Sequence, residues 1–163
     1  MPSQDLTAEI VRGAIERAFA DVPYPGDDSI VTRSECMDLE RDDVERAFKG
    51  KHWRDVLAYP VEFLRYHSSA LSDFTPEAYH FYLPAYLIAT AENYAQVDVV
   101  SDAVVFGLKS DGRSPDSLAF HQERMNRLTT SQRKAIKLFL EFLKAQHPGD
   151  DPLGDIDKAL ASL

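Results

Sequence analysis

The longest apolar stretch of the chain, Phe74 to Asn93, carries apolar residues on almost every side. At helical spacing Tyr79, Tyr82, Leu83, Tyr86 and Leu87 form one stripe, and Phe81, Ala85 and Ile88 form another. A helix that is apolar nearly all round belongs inside, packed by other helices. Its start is encoded locally. Thr75 is a capping residue, Pro76 suits the first helical position, and Glu77 complements the positive end of the helix dipole. Phe74 and Tyr79 have the spacing of a hydrophobic staple. Pro84 lacks the N–H that would bond the carbonyl of His80, so a kink or a restart is predicted there.

Amphipathic segments surround this one. Leu6 to Ala20 reads as a helix capped by Thr7 and stapled by Leu6 and Val11, with Ile10, Val11, Ala14, Ile15, Ala18 and Phe19 facing inward. Pro23, Pro25 and Gly26 stop it, and a loop with a short extended piece at Ile30 and Val31 runs to Ser34. A second helix, Glu35 to Phe48, has Met37, Val44, Ala47 and Phe48 as apolar contacts and Leu39 as a weaker one. Gly50 fits a left-handed C-terminal cap after it. Short helices are predicted from the Lys49–Trp53 turn to about Ala58 and again from Pro60. Val97 to Leu108 is rich enough in valine for a strand, but Asp98 and Asp102 break a two-residue alternation, so helix is preferred. Another short helix spans about Pro115 to Met125. Thr129 and Gln132 then form a capping box ahead of a stripe of Ala135, Ile136, Phe139, Leu140 and Leu143, ended by Pro148 and Gly149. The prediction is an all-α, single-domain helical bundle around a buried, proline-interrupted central helix, Thr75 to Glu92. The first helix and Thr130–Gln146 are its expected partners. The helical domain is placed at residues 1–147, and residues 148–163 form an acidic tail with a short peripheral helix around Ile156 and Leu160.

Composition narrows the function classes. The 163 residues are 44% hydrophobic and 10% aromatic, which suits one folded domain rather than a disordered chain. A formal charge of −9 repels phosphate backbones and anionic membranes, so neither nucleic acid nor a membrane is an expected partner. The same charge favours encounter with a basic protein or a cation. One cysteine, Cys36, excludes an intramolecular disulfide and a cysteine-rich zinc site. The N-terminal residues lack the basic and apolar regions of a signal peptide, and no stretch suits a bilayer, so a cytoplasmic location is expected.

The candidate chemistry follows from charge and spacing. Eight carboxylates fall between Asp27 and Glu45. A docking surface for a basic partner is therefore placed on Asp38, Asp42, Asp43 and Glu45, with Trp53 as the apolar anchor. The concrete form is a non-enzymatic, antitoxin- or immunity-like module. The alternative is an enzyme or small-ligand binder with a pocket near His67, His80 and Tyr82, where imidazoles beside Asp73 or Glu77 would act as acid and base. A third reading is a structural subunit of an oligomer. Glu77 and His80 have the Glu-x-x-His spacing of di-iron bundles, but no second copy accompanies them. Lys49-Gly-Lys-His lacks the P-loop glycine spacing. No cofactor, metal site or catalytic residue is therefore assigned.

Three segments taken together, Gly50-Lys-His-Trp53, Phe74-Thr-Pro-Glu with Tyr82-Leu-Pro-Ala-Tyr-Leu87, and Thr129 to Leu143, resemble a family of small bacterial proteins catalogued as a domain of unknown function. The resemblance covers roughly Thr7 to Leu143, leaving the acidic tail outside. It implies a bacterial cytoplasmic protein and brings no activity or site residues with it.

Overall fold

The computed structural model describes residues 5–33, 38–97 and 99–163. Glu35, Cys36, Met37 and Asp98, which entered the sequence reading, lie outside them. The described residues fold as an all-α single helical domain of eleven helices with no strand; the one extended pairing is an isolated antiparallel bridge between Val31 and Phe74. In chain order the helices are α1 (Ala8–Ala18), α2 (Leu39–Phe48), α3 (Trp53–Ala58), α4 (Val61–Tyr66), α5 (Ala70–Asp73), α6 (Pro76–Glu92), α7 (Tyr94–Val97), α8 (Val100–Leu108), α9 (Pro115–Asn126), α10 (Thr130–Gln146) and α11 (Asp155–Ala161). Among the described residues, no helix is long and apolar enough to cross a membrane.

Helix α6 is the axis of the domain. Fourteen of its 17 residues are buried, and α1, α3, α7, α8, α9 and α10 all pack against it. Its start follows the sequence: Thr75 Oγ accepts from the amide of Ala78 at 3.0 Å, and Pro76 occupies the first turn. The Thr75 hydroxyl also donates to the Ser29 carbonyl at 2.5 Å, which ties the loop before α2 to the head of α6. The helix runs through Pro84 without a restart. Burying side chains of this size contributes about 1.5–3 kcal/mol each, and the fully enclosed Tyr79, Tyr82, Leu83 and Tyr86 all lie on this one element.

The flanking helices follow their local signals, with shifts at the edges. Thr7 caps α1, and Val11, Ile15 and Phe19, four residues apart, form its contact line. Ile10 lies off that line and is 41% exposed, a correction to the wider stripe expected from sequence. Leu39 is also exposed, whereas Val44 and Phe48 carry α2 into the core. Gly50 takes φ 74, the left-handed turn that lets the chain leave α2. The valine-rich segment is helical, divided into α7 and α8.

Thr129 and Gln132 form the expected capping box, and Gln132 does more than cap. Buried at 3% exposure, it lies 2.7 Å from His80 Nε2 and donates to the Ala18 carbonyl at 3.2 Å, joining α10 to α6 and α1. The C-terminal segment is helical around Ile156, as expected. Asp151 accepts from the amides of Asp155 and Ile156, and Ile156 and Ala159 are buried where α11 meets α8 and α10.

Candidate functional site

Three kinds of carboxylate lie along α2. Asp38 is the cap: one oxygen accepts from the amides of Glu40 and Arg41, and the other is 3.3 Å from Arg41 Nε. Glu45 is paired with Arg33 at 3.5 Å and largely covered. Glu40, Asp42 and Asp43 form no ion pair among the described residues; they lie one, three and four positions after Leu39, which is 74% exposed, with Asp43 half-buried. Removing an exposed leucine from water while neutralising adjacent charges is what a protein interface does at its centre and rim.

Trp53 does not belong to this surface. Its side chain is fully buried, with the Arg54 guanidinium 4.3 Å above the ring, so the expected anchor role is corrected. The Lys49–His52 turn directs the indole inward. His52 Nδ1 accepts from the amide of Arg54 while Asp55 accepts from the amide of His52, a capping box that sets the course of α3.

The three pocket residues expected from sequence do not converge. The Tyr82 hydroxyl sits 2.8 Å from the Phe48 carbonyl and 2.7 Å from the Lys51 carbonyl. Burial raises its pKa, so the phenol stays neutral. His67 packs edge-on against Phe48 and at a tilt on Phe63, and burial lowers its pKa. His80 faces α10 instead, bonded to Gln132 and edge-on to Phe19. His67 and Tyr82 thus share Phe48 as a neighbour, while His80, two positions from Tyr82 on the helix, points elsewhere. Glu77 is ion-paired with Arg127, so the Glu-x-x-His spacing is occupied by protein contacts. Among the described residues, no three His, Cys, Asp or Glu side chains come together as metal ligands.

A different group of polar side chains does converge, at the junction of α5, α8 and α9. Arg113, in the turn after α8, donates to the carbonyls of Lys109 (3.0 Å) and Phe106 (2.8 Å) and to Ser117 Oγ (3.3 Å). Arg124 of α9 is only 6% exposed. Its Nη2 donates to the carbonyls of Phe74 (2.7 Å) and Ser72 (3.3 Å), and its guanidinium lies 4.5 Å from both the Tyr79 and Phe120 rings. Burial, partly offset by the nearby Tyr79, holds its pKa down at about 10. His121, one turn earlier on α9, is pushed down to about 4 by burial and then by the charge of Arg113. Tyr79 is pushed up to about 12 by burial. Three buried polar atoms here have no hydrogen-bond partner among the described residues: Tyr79 Oη, His121 Nδ1 and Arg124 Nε.

Beside this cluster lies a cleft of about 210 Å³, with Ser68, Ser69, Ser72, Phe106, Arg113 and Arg124 among its walls. Gly107 also borders it, and a Cβ at that position would stand 3.2 Å from the Tyr79 hydroxyl oxygen. The sequence reading missed this group. The available signal was the placement of His121 and Arg124 at i and i+3 beside Met125 and Leu128, polar residues in the slots of a buried stripe.

A family model matches residues 7–162, nearly the whole chain. The chain belongs to DUF6714, a family of unknown function. No curated protein and no solved structure matches it. The DUF6714 match extends past Leu143 through α11, which corrects the expectation that the resemblance stops before the tail. Both the α2 face and the α5–α8–α9 cleft lie inside the matched region.

Proposed function

We propose that this DUF6714 protein is a non-enzymatic, cytoplasmic binding module that captures a basic protein on the outer face of α2, in the manner of an antitoxin or immunity protein. The observation that carries the reading is Leu39, 74% exposed beside the carboxylates of Glu40, Asp42 and Asp43, none of which has an ion-pair partner within the described fold. Charge of this kind speeds the encounter, and the apolar centre holds the complex once water is excluded. A net charge of −9 across the chain supports the same sign of partner.

The test compares capture from a source-cell lysate by the wild type and by a Glu40→Lys/Asp42→Lys/Asp43→Lys variant, with Leu39→Ser as a second probe and Glu9→Lys on α1 as the control. Asp38 and Glu45 are left unchanged because one caps α2 and the other pairs with Arg33. A basic protein retained by the wild type and the α1 control, and lost by both α2 variants without a change in thermal midpoint, is the expected outcome. An identical captured set from all four proteins would remove the proposal.

A further inference from the structure

The cleft beside Arg113 and Arg124 concentrates positive charge in a protein whose overall charge is −9. Neither guanidinium has a carboxylate within 4.0 Å among the described residues. The acids that act on them from further away are committed elsewhere. Asp73 is 3.6 Å from Arg41, and Asp111 is 3.5 Å from Lys158. Tyr79 cannot supply the counter-charge because burial keeps its hydroxyl protonated at neutral pH. The backbone carbonyls that the two arginines hold offset part of their charge, since helix C-termini carry roughly half a negative unit at most. Two neighbouring cations under low-dielectric cover are therefore only partly balanced by the chain itself.

The walls define what would complete the balance. Arg124 lines the cleft with a side chain more than nine-tenths enclosed; its Nε, which has no acceptor among the described residues, is sealed within the protein. Serine hydroxyls at 68, 69 and 72 line the α5 side. The α8 side is apolar, formed by Val99, Ala103 and Phe106, with Val99 49% and Phe106 55% exposed at the rim. A space of about 210 Å³ is smaller than the roughly 300–1,000 Å³ of sites for drug-sized ligands. Guanidinium forks match a planar carboxylate, and an apolar wall rewards a hydrocarbon body that inorganic phosphate lacks.

We propose that the cleft between α5, α8 and α9 binds a small organic acid, its carboxylate drawn to Arg113 and Arg124 and its apolar body lying on Val99, Ala103 and Phe106. The site is separate from the α2 face and stands whether or not that face binds a partner.

The experiment is a titration of the full chain, followed by amide chemical shifts, with three probes: benzoate, its neutral analogue benzyl alcohol, and inorganic phosphate. Saturable benzoate shifts at Ser68–Ser72 and Val99–Gly107 are expected, with benzyl alcohol at least about tenfold weaker, a difference near 1.4 kcal/mol. Arg113→Gln should weaken benzoate by about tenfold or more and benzyl alcohol by clearly less. Equal binding of the neutral analogue, tighter binding of phosphate, shifts confined to other surfaces, or no saturable response to about 20 mM benzoate would each overturn the proposal. The comparison of probes on the wild-type chain decides the matter even if the arginine variant fails to fold.

Discussion

Three tyrosines on one face of α6 have hydroxyls in different circumstances, so one substitution, Tyr→Phe, should destabilise at two of them, to different extents, and not at the third. The Tyr82 hydroxyl shares its proton between the carbonyls of Phe48 (2.8 Å) and Lys51 (2.7 Å) and so closes the turn after α2. Deleting it removes a buried hydrogen bond; the Phe48 carbonyl keeps the Lys51 amide, but the Lys51 carbonyl loses this donor, a loss of about 1–3 kcal/mol. For a chain of this length that lowers the thermal midpoint by roughly 2–12 °C. The Tyr86 hydroxyl donates to the His67 carbonyl at 2.8 Å, but that carbonyl also accepts from the Ala70 amide, so Tyr86→Phe should cost less, about 1 kcal/mol. The Tyr79 hydroxyl is fully enclosed and has no hydrogen-bond partner among the described residues. Removing it relieves an uncompensated desolvation and keeps the ring beneath Arg124, so Tyr79→Phe should be neutral or stabilising by up to about 1 kcal/mol. Urea unfolding of the three variants, with m-values checked for constancy, measures the series directly. If Tyr79→Phe destabilised the protein as much as Tyr82→Phe, its hydroxyl would have a partner, and the account of the cluster around Arg124 would be wrong.

The same cluster yields two further expectations. Gly107→Ala places a methyl 3.2 Å from the Tyr79 oxygen, so the usual helix gain of about 1 kcal/mol for alanine over glycine should be cancelled in the wild type and appear in the Tyr79→Phe background. A double-mutant cycle checks this, and strict additivity would show that the two positions do not meet. His121 titrates at about 4 in the fold against an ordinary 6.5, so the folded state binds fewer protons between those values. Its contribution to stability should be complete above pH 6.5 and decline as pH falls through 6.5 towards 4. Unfolding measured across that window should show a shallower pH dependence for His121→Gln than for the wild type; parallel curves would mean that the imidazole is not desolvated.

The parts of the fold legible in sequence are those written within four residues. Thr75, Thr129 with Gln132, and Thr7 each act on backbone groups one turn away, and Gly50 supplies a left-handed backbone; each does so in the structure. The central helix was legible for a different reason: with apolar residues all round, it has no stable placement except the interior. Trp53 was not legible, because its direction depends on how the Lys49–His52 turn enters α3 rather than on the residue itself. Composition located the acidic helix but could not sort its carboxylates into the cap (Asp38), the ion pair (Glu45) and those without an ion pair among the described residues (Glu40, Asp42, Asp43), since Arg33 and Asp73 reach it from other segments.

The arginine cleft lies furthest from what a local reading can reach. Its walls come from positions 68–72, 99–107, 113 and 124, and no window of the sequence contains them together. Helix α9 nevertheless carries a mark of it. His121, Arg124, Met125 and Leu128 have the i, i+3, i+4, i+7 spacing of one buried face, with a histidine and an arginine in apolar slots. An arginine in such a slot must either extend to water or find acceptors inside. Arg124 takes the second course: its Nη2 reaches the carbonyls at the end of α5, its face lies on two aromatic rings, and one N–H donates to no acceptor. A satisfied structural arginine would end at its carbonyls. A second guanidinium, Arg113, and an adjoining cleft are what the proposed acid site adds to this packing, since the unpaired Nε is itself enclosed.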